Sequence, residues 1–281
     1  MQGVYRHCSS ASAPLNITAR IRALDWGHSW HAAVRAAGES IAQAQDLRAA
    51  LNAATAEQQL QNHRGLPLSF VPQQALPPGT AYEAYISATG QVPTRDNLHD
   101  FFNALVWLSF PLIKRQLNAL QAGEIERAGA KLRGRLRDAA TLFDENAALV
   151  VLRDGTPGRE LAQALRERRW HDAFIGQRAA FETDCHIFLF GHALMEKLAT
   201  PYKAITAHAW LLTASADFFE LPLAAQTAWI DNTIARQLSH DLTPSSLTPL
   251  PVMGVPGWSE RQDAAFYMDA EVFRPPRMGS C

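Results

Sequence analysis

Apolar residues recur at helical spacing from Ile17 to about Leu60, and Ala, Gln, Leu and Arg dominate Ser40 to Leu60. These are good helix formers, so the region predicts two helices, broken near Gly38. The next segment changes character. From Gly65 to Pro93, Pro67, Pro72, Pro77, Pro78, Gly79 and Gly90 interleave with Phe70, Val71, Tyr82, Tyr85 and Ile86, which predicts extended chain and turns with a short strand or two. Structureless connections beyond ~12 to 15 residues are uncommon in compact domains, so this segment is expected to pack across the fold or border a site.

Asn97 is placed to cap a helix from Leu98 through Asn118, with Pro111 breaking or kinking it midway. Gly123 to Arg137 is polar and partly basic. Leu136 to Phe143 reads as a short helix, Asp144 to Asn146 as a turn, and Ala147 to Leu152 as a strand leading into an Asp154-Gly155 turn. Helices are expected over about Pro157 to Arg169 and Trp170 to Arg178. Cys185 to Ala199 is apolar on nearly every side, as in a buried helix, with a strand possible at Ile187 to Phe190. Ile205 to Leu212 alternates like a strand, Leu223 to Leu238 repeats like an amphipathic helix, and the remainder is Pro-rich and irregular. No repeat of solenoid length occurs. The sum is a mostly helical α+β fold: a loose tail over residues 1–16, then one compact domain over 17–281 with N-terminal helices over 17–62.

Bulk properties narrow the class. The 281 residues, 47% hydrophobic with seven Trp and thirteen Phe, suffice for one large core. A formal net charge of -1 supplies no global field for nucleic acid or an anionic membrane. Cys8, Cys185 and Cys281 are scattered, without the close pairs of a zinc site or disulfide framework, which points to a reducing, cytoplasmic setting. Met1 to Pro14 lacks the apolar run of a signal peptide, and the apolar stretches Phe101 to Ile113 and Ile187 to Leu198 fall short of the ~20 residues of a membrane span.

Several long runs resemble one family. PTRDNLHDFFNALVWLSFP at Pro93 to Pro111, FDEN at Phe143 to Asn146, GHALMEKLATPYKAITAHA at Gly191 to Ala209, PLPVMGVPGWS at Pro249 to Ser259 and the closing FYMDAEVFRPPR are similar to the bacterial DUF3025 family of uncharacterised proteins. The resemblance covers most of the chain over 93–281 and is less clear in the N-terminal helices. It implies a shared fold and site but supplies no substrate. Glycine is expected in the family after FDEN and after PYK, where this chain has Ala147 and Ala204; a positive φ there would strain alanine.

The candidate chemistry lies in polar groups set among apolar ones. His99 and Asn103 are four apart on one helix face, with Asp100 beside them. They can bind a metal, orient a base, or only satisfy the helix start. His192 and Glu196 are also four apart, with Lys197 alongside, which resembles half of an HExxH site in reversed order; a His held by a Glu within the helix is the plainer reading. Asp144 and Glu145 are loop-borne carboxylates or turn formers. Lys203 and His208 add a cation and an imidazole, although a lone His on an apolar strand is usually a satisfied core residue. No GxxxxGK, GxGxxG or GxSxG run is present, and Cys185 before His186 is no catalytic pair.

Three functions follow as expectations. The first is a hydrolase-like enzyme whose pocket gathers His99, Asp100, Asn103, Asp144, Glu145, His192, Glu196 and His208. It would work with a divalent metal on His99, Asp100, His192 and Glu196, or metal-free with His192 as base, Glu196 orienting it and Lys197 or Lys203 stabilising an anion. The second is a non-catalytic module binding a small ligand or a protein. The third, nucleic-acid binding through Arg127, Lys131, Arg133, Arg135 and Arg137 with Arg166, Arg168 and Arg169, lacks interleaved aromatics and reads better as a solvated face beside Glu124, Glu126 and Glu167.

Overall fold

The computed structural model describes residues 17–128 and 134–275. The tail expected over 1–16, Cys8, Cys281, and Lys131 and Arg133 of the basic stretch lie outside the described residues. The chain begins with α1 (Ile17–Arg22), α2 (Arg35–Ala42) and α3 (Leu47–Glu57). A small unit follows: β1 (Ser69–Pro72), α4 (Tyr82–Thr89) and β2 (Gln91–Thr94). Next come α5 (Leu98–Ser109), α6 (Pro111–Ala128), α7 (Arg135–Asn146), β3 (Ala147–Arg153), α8 (Thr156–Arg166), α9 (Arg178–Thr183), β4 (Cys185–Leu189), α10 (His192–Leu198) and β5 (Thr206–Ala214). The last elements are α11 (Ala216–Glu220), α12 (Leu223–Gln237), β6 (Thr248–Pro251) and α13 (Ala264–Tyr267). The α+β, mostly helical class is as expected.

The four-stranded sheet runs β4-β3-β5-β6, with β3 antiparallel to β4 and parallel to β5. Ala147 through Leu152 are all buried, as a strand covered on both faces requires. Helix α8 packs on β3, and α7 packs against β3 and β5. Away from the sheet, α4, α5, α6, α7 and α10 pack on one another, and α12 packs on α6. Among them is α5, in which every residue except His99 and Ser109 is buried. Asp100 and Asn103 are among the buried ones, so each must find partners to offset its desolvation.

Several local expectations change, each for a physical reason. Gly38 does not break a helix; it lies inside α2, where a Cβ would come within 2.3 Å of the Trp26 ring. The breaks fall on either side of α2 instead. Tyr82 to Ile86 are helical rather than extended, because β1 and β2 pair in parallel and a parallel pair needs a crossover, which α4 supplies. Asp144 to Asn146 form the last turn of α7. Cys185 to Ala199 divides into β4 and α10 at Gly191, where a Cβ would lie 2.6 Å from Glu145 O and Ala147 N. That close approach brings the start of α10 onto the end of α7. Ala147 has φ -75 and Ala204 is not among the positive-φ residues, so neither carries the strain considered for it.

Candidate functional site

Asn97 accepts a hydrogen bond from Asp100 N at 2.7 Å and so starts α5 with His99 in its first turn. Pro111 opens α6, and the Gly191 approach sets His192 at the first position of α10. The starts of α4, α5 and α10, the end of α7 and Gln121 of α6 enclose a cleft of about 330 Å³. Its walls include His99, Asp100, Asn103, Asp144, Glu145 and His192, six of the groups expected to converge. Tyr82 and Glu83 of α4, Gln73, Arg95, Gln121 and Thr141 complete the polar lining.

The two imidazoles meet. His192 Nε2 is 3.1 Å from His99 Nε2, and His99 Nδ1 is 3.0 Å from Glu196 Oε2. Glu196 therefore holds the histidine of another helix, not His192 of its own, as the spacing within α10 had suggested. The far nitrogen of His192, Nδ1, has no hydrogen-bond partner among the described residues and lies 3.8 Å from Asp144 Oδ2. With Glu196 ionised, His99 Nδ1 carries a proton, and one proton sits between the facing Nε2 atoms. A third on His192 Nδ1 decides whether the pair is neutral or singly charged. Burial pushes His192 down to about 4, so at neutral pH it is uncharged.

Beneath the imidazoles lies a group the sequence did not single out. Lys114 Nζ donates to Asp144 Oδ1 at 2.6 Å, to Asp144 Oδ2 at 2.9 Å and to Asn103 Oδ1 at 2.8 Å. Burial raises the Asp144 pKa, but the Lys114 ammonium and His192 outweigh it and hold the carboxyl below the usual range. Asp144 stands at the C-terminal end of α7, where the helix dipole disfavours an anion, so a buried cation there has a clear electrostatic use. Asn103 Nδ2 in turn donates to the Tyr82 hydroxyl at 3.2 Å. The signal for Lys114 was its stripe: Lys114, Asn118 and Gln121 recur at helical spacing among Ile113, Leu117 and Leu120, and all six are buried.

Charges in the cleft pair unevenly. Arg95 clamps Asp100 through Nε at 3.1 Å, Nη2 at 2.9 Å and its backbone N at 2.6 Å. Lys114 answers Asp144, and His99 meets Glu196. Glu145 makes no side-chain hydrogen bond or ion pair among the described residues, and Glu83 receives only neutral amide donors, from Asn118 at 2.6 Å. Burial raises the Glu83 pKa, with Lys114 opposing part of the effect. Among the described residues, Glu145 and Glu83 therefore line the cleft without an ion pair of their own.

The other expected groups fall elsewhere. Lys197 donates to Asn146 at 3.1 Å on the exposed surface, and Lys203 pairs with Asp269 at 2.7 Å over the Phe266 ring. His208 lies in β5 opposite Pro249, its Nδ1 unpartnered and its pKa lowered by burial. None of the three lines the cleft. The four groups expected on a metal do not close on one point: Asp100 is taken by Arg95, and Glu196 meets His99 at Nδ1 while His192 meets it at Nε2. Among the described residues no group of three or more His, Cys, Asp or Glu is arranged to hold a metal ion. Of the basic residues, Arg127 pairs with Glu124, and Arg169 with Glu167 and Asp172. No helix among the described residues is long and apolar enough to cross a membrane.

Comparison with known proteins agrees with the resemblance. The family model described as protein of unknown function (DUF3025) matches residues 68–277. The match starts upstream of Pro93, so it takes in the β1-α4-β2 unit that carries Tyr82 and Glu83. No curated protein and no solved structure matches the chain.

Proposed function

The chain belongs to the DUF3025 family, and we propose that it is a hydrolase-like enzyme acting by proton transfer on a small polar substrate. The observation that carries this reading is the His99–His192 contact on the wall of the cleft, braced by Glu196 on one side and facing Asp144 on the other. Such a pair can take a proton from a water attacking a carbonyl or similar centre and return it to the leaving group, since one proton more or less is accommodated between two rings. His99, the more exposed ring, is the transferring group: its Nε2 exchanges the His192 contact for the attacking water and takes the proton there, Glu196 orients it through Nδ1, and His192 is the neutral partner. The uneven pairing of charge argues for a neutral or cationic substrate, because among the described residues the guanidinium that lines the cleft, Arg95, is already clamped on Asp100. We place the protein in a reducing compartment, which suits the buried, unpaired Cys185.

The test is hydrolysis of a panel of small neutral and cationic esters and amides by the wild type, His99→Ala and Glu196→Gln. Turnover falling ~10²- to 10⁴-fold in His99→Ala, and less in Glu196→Gln, is expected. Saturable binding of panel members without turnover in the wild type would replace the enzyme with a ligand-binding module. Elemental analysis of protein purified without chelator runs alongside: stoichiometric metal that is lost in His99→Ala would replace proton transfer by metal-assisted hydrolysis.

A further inference from the structure

The strictly directional hydrogen bonds in the cleft end on Tyr82. An ammonium only donates, so Asn103 Oδ1 must be the acceptor of Lys114 Nζ, and this fixes which way the amide points. Asn103 Nδ2 must then be the donor to the Tyr82 oxygen at 3.2 Å. With its oxygen accepting, the Tyr82 hydroxyl keeps its own proton to give, and among the described residues nothing accepts it. Tyr82 lines the same cleft as His99 and His192. We infer that the Tyr82 hydroxyl is the donor that binds and polarises the substrate's carbonyl or equivalent oxygen, with Asn103 and Lys114 as positioning residues behind it.

The chain of donors matters because each hydrogen bond polarises the next in a low-dielectric interior, so a phenol fed by a buried ammonium is a stronger donor than a phenol in water. Burial also raises the Tyr82 pKa well above its ordinary value, so the proton is present at any working pH. A donor in place before the reaction can stabilise negative charge that develops on oxygen without reorganisation. This deepens the acid–base reading of the same cleft, on which it rests, and supplies the electrophilic half that the imidazole pair lacks. It also narrows the substrate to one presenting an acceptor oxygen rather than a second cation.

The experiment uses the full chain and isotope-labelled acetamide, whose carbonyl stretch is separated from the protein's, with infrared difference spectra recorded during titration. A band shifted to lower frequency in the wild type, lost in Tyr82→Phe and about halved in its shift in Asn103→Leu, is the expected result. An equal shift in wild type and Tyr82→Phe, or no shifted band in the wild type at high acetamide, overturns the inference. Circular dichroism on Tyr82→Phe confirms that the loss is not unfolding. Because the readout needs no turnover, it separates this inference from the hydrolase reading. Where a panel substrate is turned over, Tyr82→Phe is expected to lower kcat roughly 10- to 10³-fold with KM little changed and the pH profile unmoved, whereas His99→Ala moves the profile.

Discussion

Two buried carboxylates converge on the first turn of α6 and are held there by different means. Asp231 of α12 accepts from the backbone N–H groups of Leu112 at 3.0 Å and Ile113 at 2.8 Å, so it caps α6 from another helix. Asp144 of α7 takes the side chain of the next residue, Lys114, with both oxygens. Burial pushes Asp231 up to about 6, since backbone bonds and a more distant Arg115 offset only part of the desolvation. Asp144, beside a full cation, moves the other way. The Asp231 bonds end at the backbone, whereas the Asp144 cluster continues through Asn103 to Tyr82 and the cleft. The first is a structural cap. The second is a buried ion pair whose partners reach a surface where chemistry is possible.

The largest expected effect breaks the second arrangement. Lys114→Met leaves Asp144 buried beside no cation, and removing one partner of such a pair costs about 3–5 kcal/mol. The side chains are 6% and 13% exposed, so water does little to relieve the stranded charge. Urea denaturation is the measurement, and Lys114→Met combined with Asp144→Asn is expected to recover most of the loss. A single-variant cost under about 1 kcal/mol would mean that Asp144 is neutral in the fold.

The cap is expected to be weaker and to respond to pH with the opposite sign. Asp231→Ala strands two backbone N–H groups and costs about 1–3 kcal/mol. Asp231 goes from an ordinary 3.8 to about 6 in the fold. A raised value means that its contribution is fully present below about 4 and is lost as pH rises through about 6, on the order of 3 kcal/mol at most. Asp144, lowered in the fold, contributes above its unfolded value and loses that contribution as pH falls through its folded one. Across pH 4 to 7 the stability of the wild type relative to Asp231→Asn should therefore fall as pH rises, on top of the opposite slope that His192, lowered to about 4 in the fold, adds to both proteins. Acid unfolding below that range should be blunted by Asp144→Asn. A pH slope unchanged in Asp231→Asn would show that this carboxyl is not destabilised by burial.

The same contrast explains what could be read along the chain. The Asn97 cap and the Pro111 start are local chemistry, and both stand where the sequence put them. His99 and Asn103 share a wall of the cleft because four-residue spacing alone places them on one face. Lys114 was hidden beside Arg115: two adjacent cations suggest a solvated helix, yet one is buried and the other exposed. Tyr82 and Glu83 were hidden by the prolines around α4, since the helix exists to join two parallel strands whose pairing is a tertiary fact. Glu196 was assigned to His192 within α10, because spacing reports neighbours on one helix and nothing about a ring arriving from α5. Asp231 gave no signal at all, as its partners are backbone groups over a hundred residues away.

The smallest expected effect concerns Glu145, one residue beyond Asp144 and its opposite in circumstance. It stands in the last turn of α7, near the negative end of the helix dipole, with no cation among the described residues to offset it. An anion kept there has a cost, so Glu145→Gln should raise stability by about 0.3–1 kcal/mol, read as a small increase in Tm. Asp144→Asn, by contrast, leaves Lys114 without its counter-charge and should lower it. If Glu145→Gln were instead destabilising, the carboxylate would have a structural partner and its presence in the cleft would need no other explanation. A gain in stability would mark it as a group retained at a cost, which is how side chains used for binding or catalysis differ from those used for packing.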